Sequence, residues 1–261
     1  MILTHENYHT LDNRYLTKSR IKDFLRCKRY FYELHISGEK QKKDKDVFRV
    51  GQATDTWLTK SKDEFMRKFI CVSRRSLKNP PTNYTELTQT QYDEIVNMCE
   101  VVERQPAYQE LCDHTAQEII SVDMPMGEHF VGLAGIPDWY KIEGDTCIIT
   151  DLKTSNDTNE RKHHYKCMDF GYYMQFAVMT IIFRSTRPEM RKFVYRHLVI
   201  DKDPDGVNTP YTFLLDNERV EVYINILQNE IIPMIASEKE FSPKKVTWES
   251  AVRIGSLDEG F

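Results

Sequence analysis

The chain has 261 residues, enough to bury a substantial core, and its 40% hydrophobic and 29% charged content is that of a folded globular protein rather than a disordered one. No run approaches the roughly 18 apolar residues of a membrane-spanning helix, and residues 1–10 lack the basic-then-apolar pattern of a secretion signal, so a cytoplasmic protein with no membrane contact is expected. The net charge of −4 argues at first against a nucleic-acid partner, but residues 1–80 carry 19 Lys/Arg and 10 Asp/Glu, whereas the remainder carries 17 and 30. A basic N-terminal part beside an acidic remainder suits a protein that grips phosphates on one surface and binds a cation on another.

In chain order, residues 1–16 read as a polar, irregular segment with His5 and His9 in solvent. A helix is expected from Thr17-Lys-Ser19, capped by Ser19, with Ile21, Phe24, Leu25, Phe31 and Tyr32 at helical spacing and Arg20, Lys22, Arg26 and Arg29 on the other face. That face suits phosphate contact by Arg26 and Arg29, or packing of a basic amphipathic helix on the core. After the charge-dense loop 40–45, a second helix is expected from Phe48 to about Ile70. Asn79-Pro80-Pro81 marks a loop. Helices are then expected over Thr90–Arg104 and from Pro106 to about Cys112, followed by a first strand from Gln117 to Met124.

The runs Phe130–Trp139 and Thr146–Leu152 are short and rich in β-branched and aromatic residues, and Glu143-Gly144-Asp145 separates them, so they read as an antiparallel hairpin. Alternation along a strand puts Asp151 and Lys153 on one face and Leu152 on the other. The neighbouring strand then brings Asp138 beside Asp151. Like charges at that separation call for a divalent cation between them, magnesium or manganese, with Lys153 near a bound water. Beyond this, Arg161-Lys162-His-His164-Tyr-Lys166 is a basic cluster suited to a DNA backbone, with adjacent histidines that point apart on a helix and so share no zinc. A helix follows from Phe170 to Phe183, a strand over Met190–Asp201, a turn to Gly206, a strand over Tyr211–Leu215, and a closing helix from Arg219 to about Ser237 with Val222, Ile226 and Ile231 buried. The tail Phe241–Phe261 is expected to dock on the body or on a neighbouring subunit. Six scattered cysteines with no Cys-x-x-Cys pair read as reduced core thiols.

Pro137-Asp138, twelve intervening residues, and Asp151-Leu152-Lys153 resemble the signature of the PD-(D/E)XK nuclease superfamily, and Gly135-Ile-Pro-Asp138 with Ile149-Thr-Asp151-Leu-Lys153-Thr154 is similar to its RecB-like and phage recombination exonuclease branch. The resemblance implies an α/β fold, with a central mixed β-sheet flanked by helices after an N-terminal helical region. A single nuclease domain over 1–261 is expected, divided into a mainly helical part (1–115), the catalytic sheet and motif helix (116–200), and a C-terminal strand, helix and tail (201–261). It implies metal ligation by Asp138, Asp151 and the Leu152 carbonyl, with Lys153 positioning the nucleophile. Where such relatives carry Gly-x-x-x-His with a ligating histidine, this chain has Gly51-x-x-x-Asp55, so Asp55 is the candidate further ligand. Tyr172 and Gln175 match the Tyr-x-x-Gln of the motif helix and are expected to orient the scissile phosphate; Met179 replaces a trailing tyrosine. Some relatives hold an iron–sulfur cluster, but no cysteine follows Cys167, so none is expected.

The implied activity is Mg²⁺-dependent, sequence-non-specific hydrolysis of DNA, most simply by an exonuclease acting on linear duplex in recombination or repair. Such relatives form homo-oligomeric rings and work with a single-strand annealing protein. A structure-selective or CRISPR-adaptation-type endonuclease and a non-catalytic DNA-binding member are the alternatives.

Overall fold

In the strand that carries Asp151, Cys147 and Ile149 alternate with Thr150 and Leu152, so this strand has an apolar residue for each of two layers. The computed structural model describes residues 3–11, 13–41, 46–71, 84–202 and 210–238. In chain order its elements are β1 (Tyr15–Leu16), α1 (Lys18–Arg26), α2 (Lys28–His35), α3 (Asp46–Asp55), α4 (Lys62–Lys68), β2 (Phe69–Cys71), β3 (Thr85–Leu87), α5 (Gln89–Val102), α6 (Pro106–Gln109), β4 (Thr115–Ala116) and β5 (Ile120–Met126). They continue with β6 (Phe130–Gly135), β7 (Trp139–Glu143), β8 (Thr146–Ser155), α7 (Glu160–Asp169), α8 (Tyr172–Thr186), β9 (Lys192–Asp201), β10 (Pro210–Leu214), α9 (Asn217–Ile226) and α10 (Ile232–Ser237).

The central sheet has the order β10-β9-β8-β7-β4. Within this sheet, among the described residues, only β8 and β9 pair in parallel, in unbroken register from Thr146↔Lys192 to Ser155↔Asp201, because α7 and α8 supply the crossover that parallel neighbours require. Cys147, Ile149 and Tyr195 face a core shared with α1, α2, α8 and α9. Trp139, Leu152, Leu198 and Ile200 face a second core built on Ala53, Trp57, Phe65 and α5. This is the mixed α/β architecture expected, helices on both faces of the sheet after an N-terminal helical region.

The structure corrects several expected boundaries. Phe130–Trp139 is not one strand: β6 pairs with β5 and β1 in a separate three-stranded sheet, and only β7 forms the hairpin with β8. Pro137 causes the break, since it has no N–H to donate and restricts the residue before it. The strand expected from Gln117 is β5 and starts at Ile120, because Gln117 takes a left-handed φ of 52° that no strand accommodates. Thr17, not Ser19, caps α1, its hydroxyl accepting from the Arg20 N–H at 3.4 Å.

Arg20 itself is buried rather than on the basic face; its guanidinium donates to the carbonyls of Asn13, Tyr15 and Thr10 and so ties the N-terminal segment to the body. That segment is accordingly not free: Tyr8 and Leu16 are buried, and β1 pairs with Gly132 and Leu133.

The expected second helix is also interrupted. A π-helical turn, Thr56–Lys60, follows α3, and Ser61 caps α4 by accepting from the Glu64 N–H at 3.0 Å. The hydroxyls of Thr54, Thr56 and Thr59 each donate to the carbonyl four residues earlier, at 2.9, 2.8 and 2.7 Å, which competes with regular α-helical bonding. The closing helix likewise contains a π turn at Leu227–Ile231, and Val222 is exposed while Ile231 is buried. The expected Asn79–Pro81 loop, most of the 201–206 turn and the 241–261 tail lie outside the described residues.

Candidate metal centre

Asp138 stands just ahead of β7, opposite the residues that follow Thr150 in β8, because Trp139 pairs with Thr150. Its Oδ2 accepts the Leu152 N–H at 2.6 Å, which pins the carboxylate against the neighbouring strand. One residue either side of Leu152, Asp151 and Lys153 share the α8 face of β8, and the Lys153 Nζ forms an ion pair with Asp151 Oδ2. Leu152 points the other way and is buried in the second core. Asp55, at the end of α3 and start of the π turn, arrives from that opposite layer. π-helical turns of this kind recur at functional sites, since they rotate the following side chains out of α-helical register.

Two glutamines hold the carboxylates. Gln175 Nε2, from α8, donates to Asp151 Oδ1 at 2.5 Å. Gln117 Nε2 donates to Asp138 Oδ1 at 2.9 Å and reaches Asp55 Oδ1 at 3.5 Å. The Tyr172 ring lies 4.7 Å from Lys153 Nζ. Gln175 and Tyr172, the residues expected to orient the scissile phosphate, thus engage Asp151 and Lys153. Glu118, the residue beside Gln117, is used elsewhere: it accepts from the Tyr140 hydroxyl.

Charge in this cluster is unbalanced. Burial, reinforced by the charge of Asp151, pushes the Asp55 carboxyl up to about 6. Burial and the nearby Asp55 and Asp151 push Asp138 well above the ordinary carboxylate range. Burial acts the same way on Asp151, but the Lys153 ammonium outweighs it and holds Asp151 below its ordinary value. Burial also disfavours charge on Lys153, yet Asp151 and Asp138 outweigh it and keep the ammonium above its usual range. Three carboxylates thus share one ammonium. Their all-oxygen donor set and mutual repulsion fit a hard divalent cation such as Mg²⁺ or Mn²⁺.

Two of the other expected DNA contacts engage the residue four positions on in the chain. Arg26 stacks on Tyr30 at 5.6 Å, and Arg29 donates to Glu33 at 2.7 Å. On α7, Arg161 is exposed and Lys162 pairs with Asp157 at 2.5 Å. The basic group of α1 that does approach the motif helix is Lys18, whose Nζ is 5.6 Å from the Tyr172 ring. Sequence reasoning missed Lys18 and Gln117. Helical phase could have found Lys18, which lies on the α1 turn that meets α8. Nothing in the sequence announces the left-handed backbone that aims Gln117.

Among the described residues, no helix is long and apolar enough to cross a membrane. No curated protein matches the chain. A crystal structure of a provisionally assigned exonuclease from Eubacterium rectale is similar over 100% of both chains, with a TM-score of 0.66 at 15% identity, which shows a shared fold. A second crystal structure, of SSO0001, covers 94% of this chain and 86% of that one at 12% identity and a TM-score of 0.35, too low to support an argument. A family model matches residues 17–235, which include Asp55, Asp138, Asp151, Lys153 and Gln175, and on that match the chain belongs to the family described as a PDDEXK-like domain of unknown function, DUF3799.

Proposed function

We propose that the protein is a divalent-metal-dependent deoxyribonuclease, and that it acts as an exonuclease on linear double-stranded DNA. The observation that carries this reading is the convergence of Asp138 and Asp151 from adjacent strands, with Lys153 on Asp151 and Asp55 closing the set from the opposite layer. Asp55, Asp138, Asp151 and the Leu152 carbonyl would hold Mg²⁺ or Mn²⁺. The chemistry such an ion supplies when bound is activation of a water and stabilisation of charge on the phosphate.

The chain's own residues do the rest. Lys153, paired with Asp151, brings an ammonium that can orient the attacking water and offset charge growing on the phosphoryl oxygens. Gln175 fixes the Asp151 carboxylate in one rotamer, and Gln117 holds Asp138 and Asp55 together. As the water oxygen bonds phosphorus, the P–O3′ bond breaks, the water gives up a proton to solvent, and the leaving oxygen takes one from solvent. Lys18, Arg161 and Lys162 provide sequence-independent backbone contacts.

The test is incubation of purified protein with Mg²⁺ on linear and covalently closed circular duplex, beside Lys153→Met. Loss of linear DNA alone is the expected result. Nicking of circles would replace the exonuclease reading with an endonuclease one, and binding without cleavage of either substrate would overturn catalysis.

A further inference from the structure

Behind Asp151 lies a buried group that the nuclease reading does not use. His163 and Cys167, one turn apart on α7, meet His197 of β9, and all three are buried, with exposures of 4%, 2% and 0%. His197 is the parallel-strand partner of Asp151. His163 Nε2 lies 2.9 Å from His197 Nδ1, and Cys167 Sγ lies 3.8 Å from the same nitrogen. The other ring nitrogen, His197 Nε2, has no hydrogen-bond partner at normal length and stands 3.7 Å from Asp151 Oδ2.

These atoms could hold a soft metal, but the distances favour hydrogen bonding. Two imidazole ligands of a tetrahedral ion, each at about 2.05 Å, keep their nitrogens about 3.3 Å apart. The 2.9 Å separation is instead that of an N–H···N bond. The group also offers three donors, with no fourth among the described residues that satisfies the same grouping. Aromatic rings enclose it: Phe213 stacks on His163 with centroids 4.5 Å apart, and Tyr172 and Phe176 flank His197 at 5.0 and 5.3 Å.

The tautomers then follow from what each neighbour can do. An ionised Asp151 can only accept, so the nitrogen facing it, His197 Nε2, carries the hydrogen. His197 Nδ1 is therefore bare and accepts from His163 Nε2–H. Full burial disfavours a charged ring, and the 2.9 Å contact itself requires one of its two nitrogens to be bare. The Cys167 thiol, pushed up to about 12 by burial, stays protonated and is a second donor toward the same nitrogen.

Resting on the metallonuclease reading, we infer that His197 is a positioning residue for the Asp151 ligand, held by His163 in the tautomer that presents Nε2–H to the Asp151 carboxylate. Gln175 then secures one Asp151 oxygen and His197 the other when a cation draws Lys153 away.

Two measurements test this. Long-range ¹H–¹⁵N correlation spectra of histidine-labelled wild-type protein are expected to show His197 protonated at Nε2 and bare at Nδ1; a proton on Nδ1 would overturn the inference, as would zinc recovered stoichiometrically with the protein. Manganese affinity, read by electron paramagnetic resonance without DNA, is expected to fall about 10- to 100-fold in His197→Phe, the usual cost of losing a ligand's supporting partner. It is expected to recover to within a few-fold of wild type in His197→Gln, whose amide restores a donor. Equal affinities in wild type and His197→Phe would overturn the inference. A wild-type protein with no manganese affinity would instead overturn the nuclease reading, and the tautomer spectrum, which needs no variant, would still decide the His163–His197 arrangement.

Discussion

Asp55 tests whether the carboxylate cluster is built for a cation, because its cost to the metal-free fold has a definite size and sign. Its carboxyl is raised from an ordinary 3.8 to about 6 by burial and by Asp151. A group raised in the folded state contributes stability that is fully present below its unfolded value and lost as pH rises through the folded one. Over the whole range that loss amounts to about 3 kcal/mol, of which about 2 kcal/mol falls between pH 4 and pH 7. Asp55→Asn removes the ionisation and keeps an oxygen for Gln117 to bond. Metal-free wild type and variant should therefore have similar stability near pH 4 and diverge as pH rises, until at pH 8 the variant is more stable by up to about 3 kcal/mol, roughly 6–9 °C in midpoint for a chain of this size. Added Mg²⁺ should reverse the order at pH 8, since a cation bound only by the folded state stabilises the protein that binds it more tightly. The assay is urea and thermal unfolding from pH 4 to pH 8 with chelator or with Mg²⁺. A variant that is destabilised at pH 8 in chelator, or a wild-type advantage in Mg²⁺ no greater than in chelator, would refute the argument that these carboxylates repel one another in wait for a cation.

Lys153→Met should lower kcat/KM by about 10²–10³, the usual effect of removing one preorganised stabilising donor, measured on a linear duplex at saturating Mg²⁺. In chelator it should also cost about 3–5 kcal/mol in urea unfolding, because it strands the buried Asp151 carboxylate; Mg²⁺ should recover most of that, and an equal loss with and without the ion would show that no ion reaches Asp151. Gln117→Gly and Gln117→Ala should both weaken Mn²⁺ binding about tenfold by calorimetry, since each removes the amide on Asp138. Alanine alone keeps a side chain at φ 52°, so it should be less stable than glycine by about 1 kcal/mol in urea unfolding. Gly132→Ala should destabilise the fold by about 3 kcal/mol or prevent its recovery in soluble form, because an added Cβ would sit 1.9 Å from the Val122 carbonyl oxygen on the paired strand.

What could be read from the sequence depended on whether a feature is local. The two-residue period of a strand is enough to place Asp151 and Lys153 on one face and Leu152 on the other, and the β7–β8 turn is enough to bring Asp138 alongside. The three-residue step from Tyr172 to Gln175 likewise fixes one face of α8 without knowledge of what that face meets. Periodicity fails where long-range pairing decides. Phe130–Gly135 has the composition of a strand, but its membership of a second sheet is set by β5 and β1, and only Pro137 hints that it ends before Asp138. Arg20 looks like its basic neighbours until the N-terminal carbonyls it bonds are in view.

His197 is the clearest case of a residue hidden by topology. In the sequence it is one of several polar positions in β9, 46 residues from Asp151, with nothing local to set it apart from Arg196 beside it. It reaches Asp151 because β8 and β9 run in parallel in unbroken register, a pairing that the intervening α7 and α8 make possible. The same crossover carries His163 to one side of the His197 ring and Gln175 to the other oxygen of Asp151. One connection between two strands thereby delivers the groups that orient the carboxylate along with those that pack the sheet. A search confined to the Pro-Asp and Asp-x-Lys positions finds the ligands and misses what holds them, because ligands are spaced by strand geometry and their supports by the path of the chain between strands.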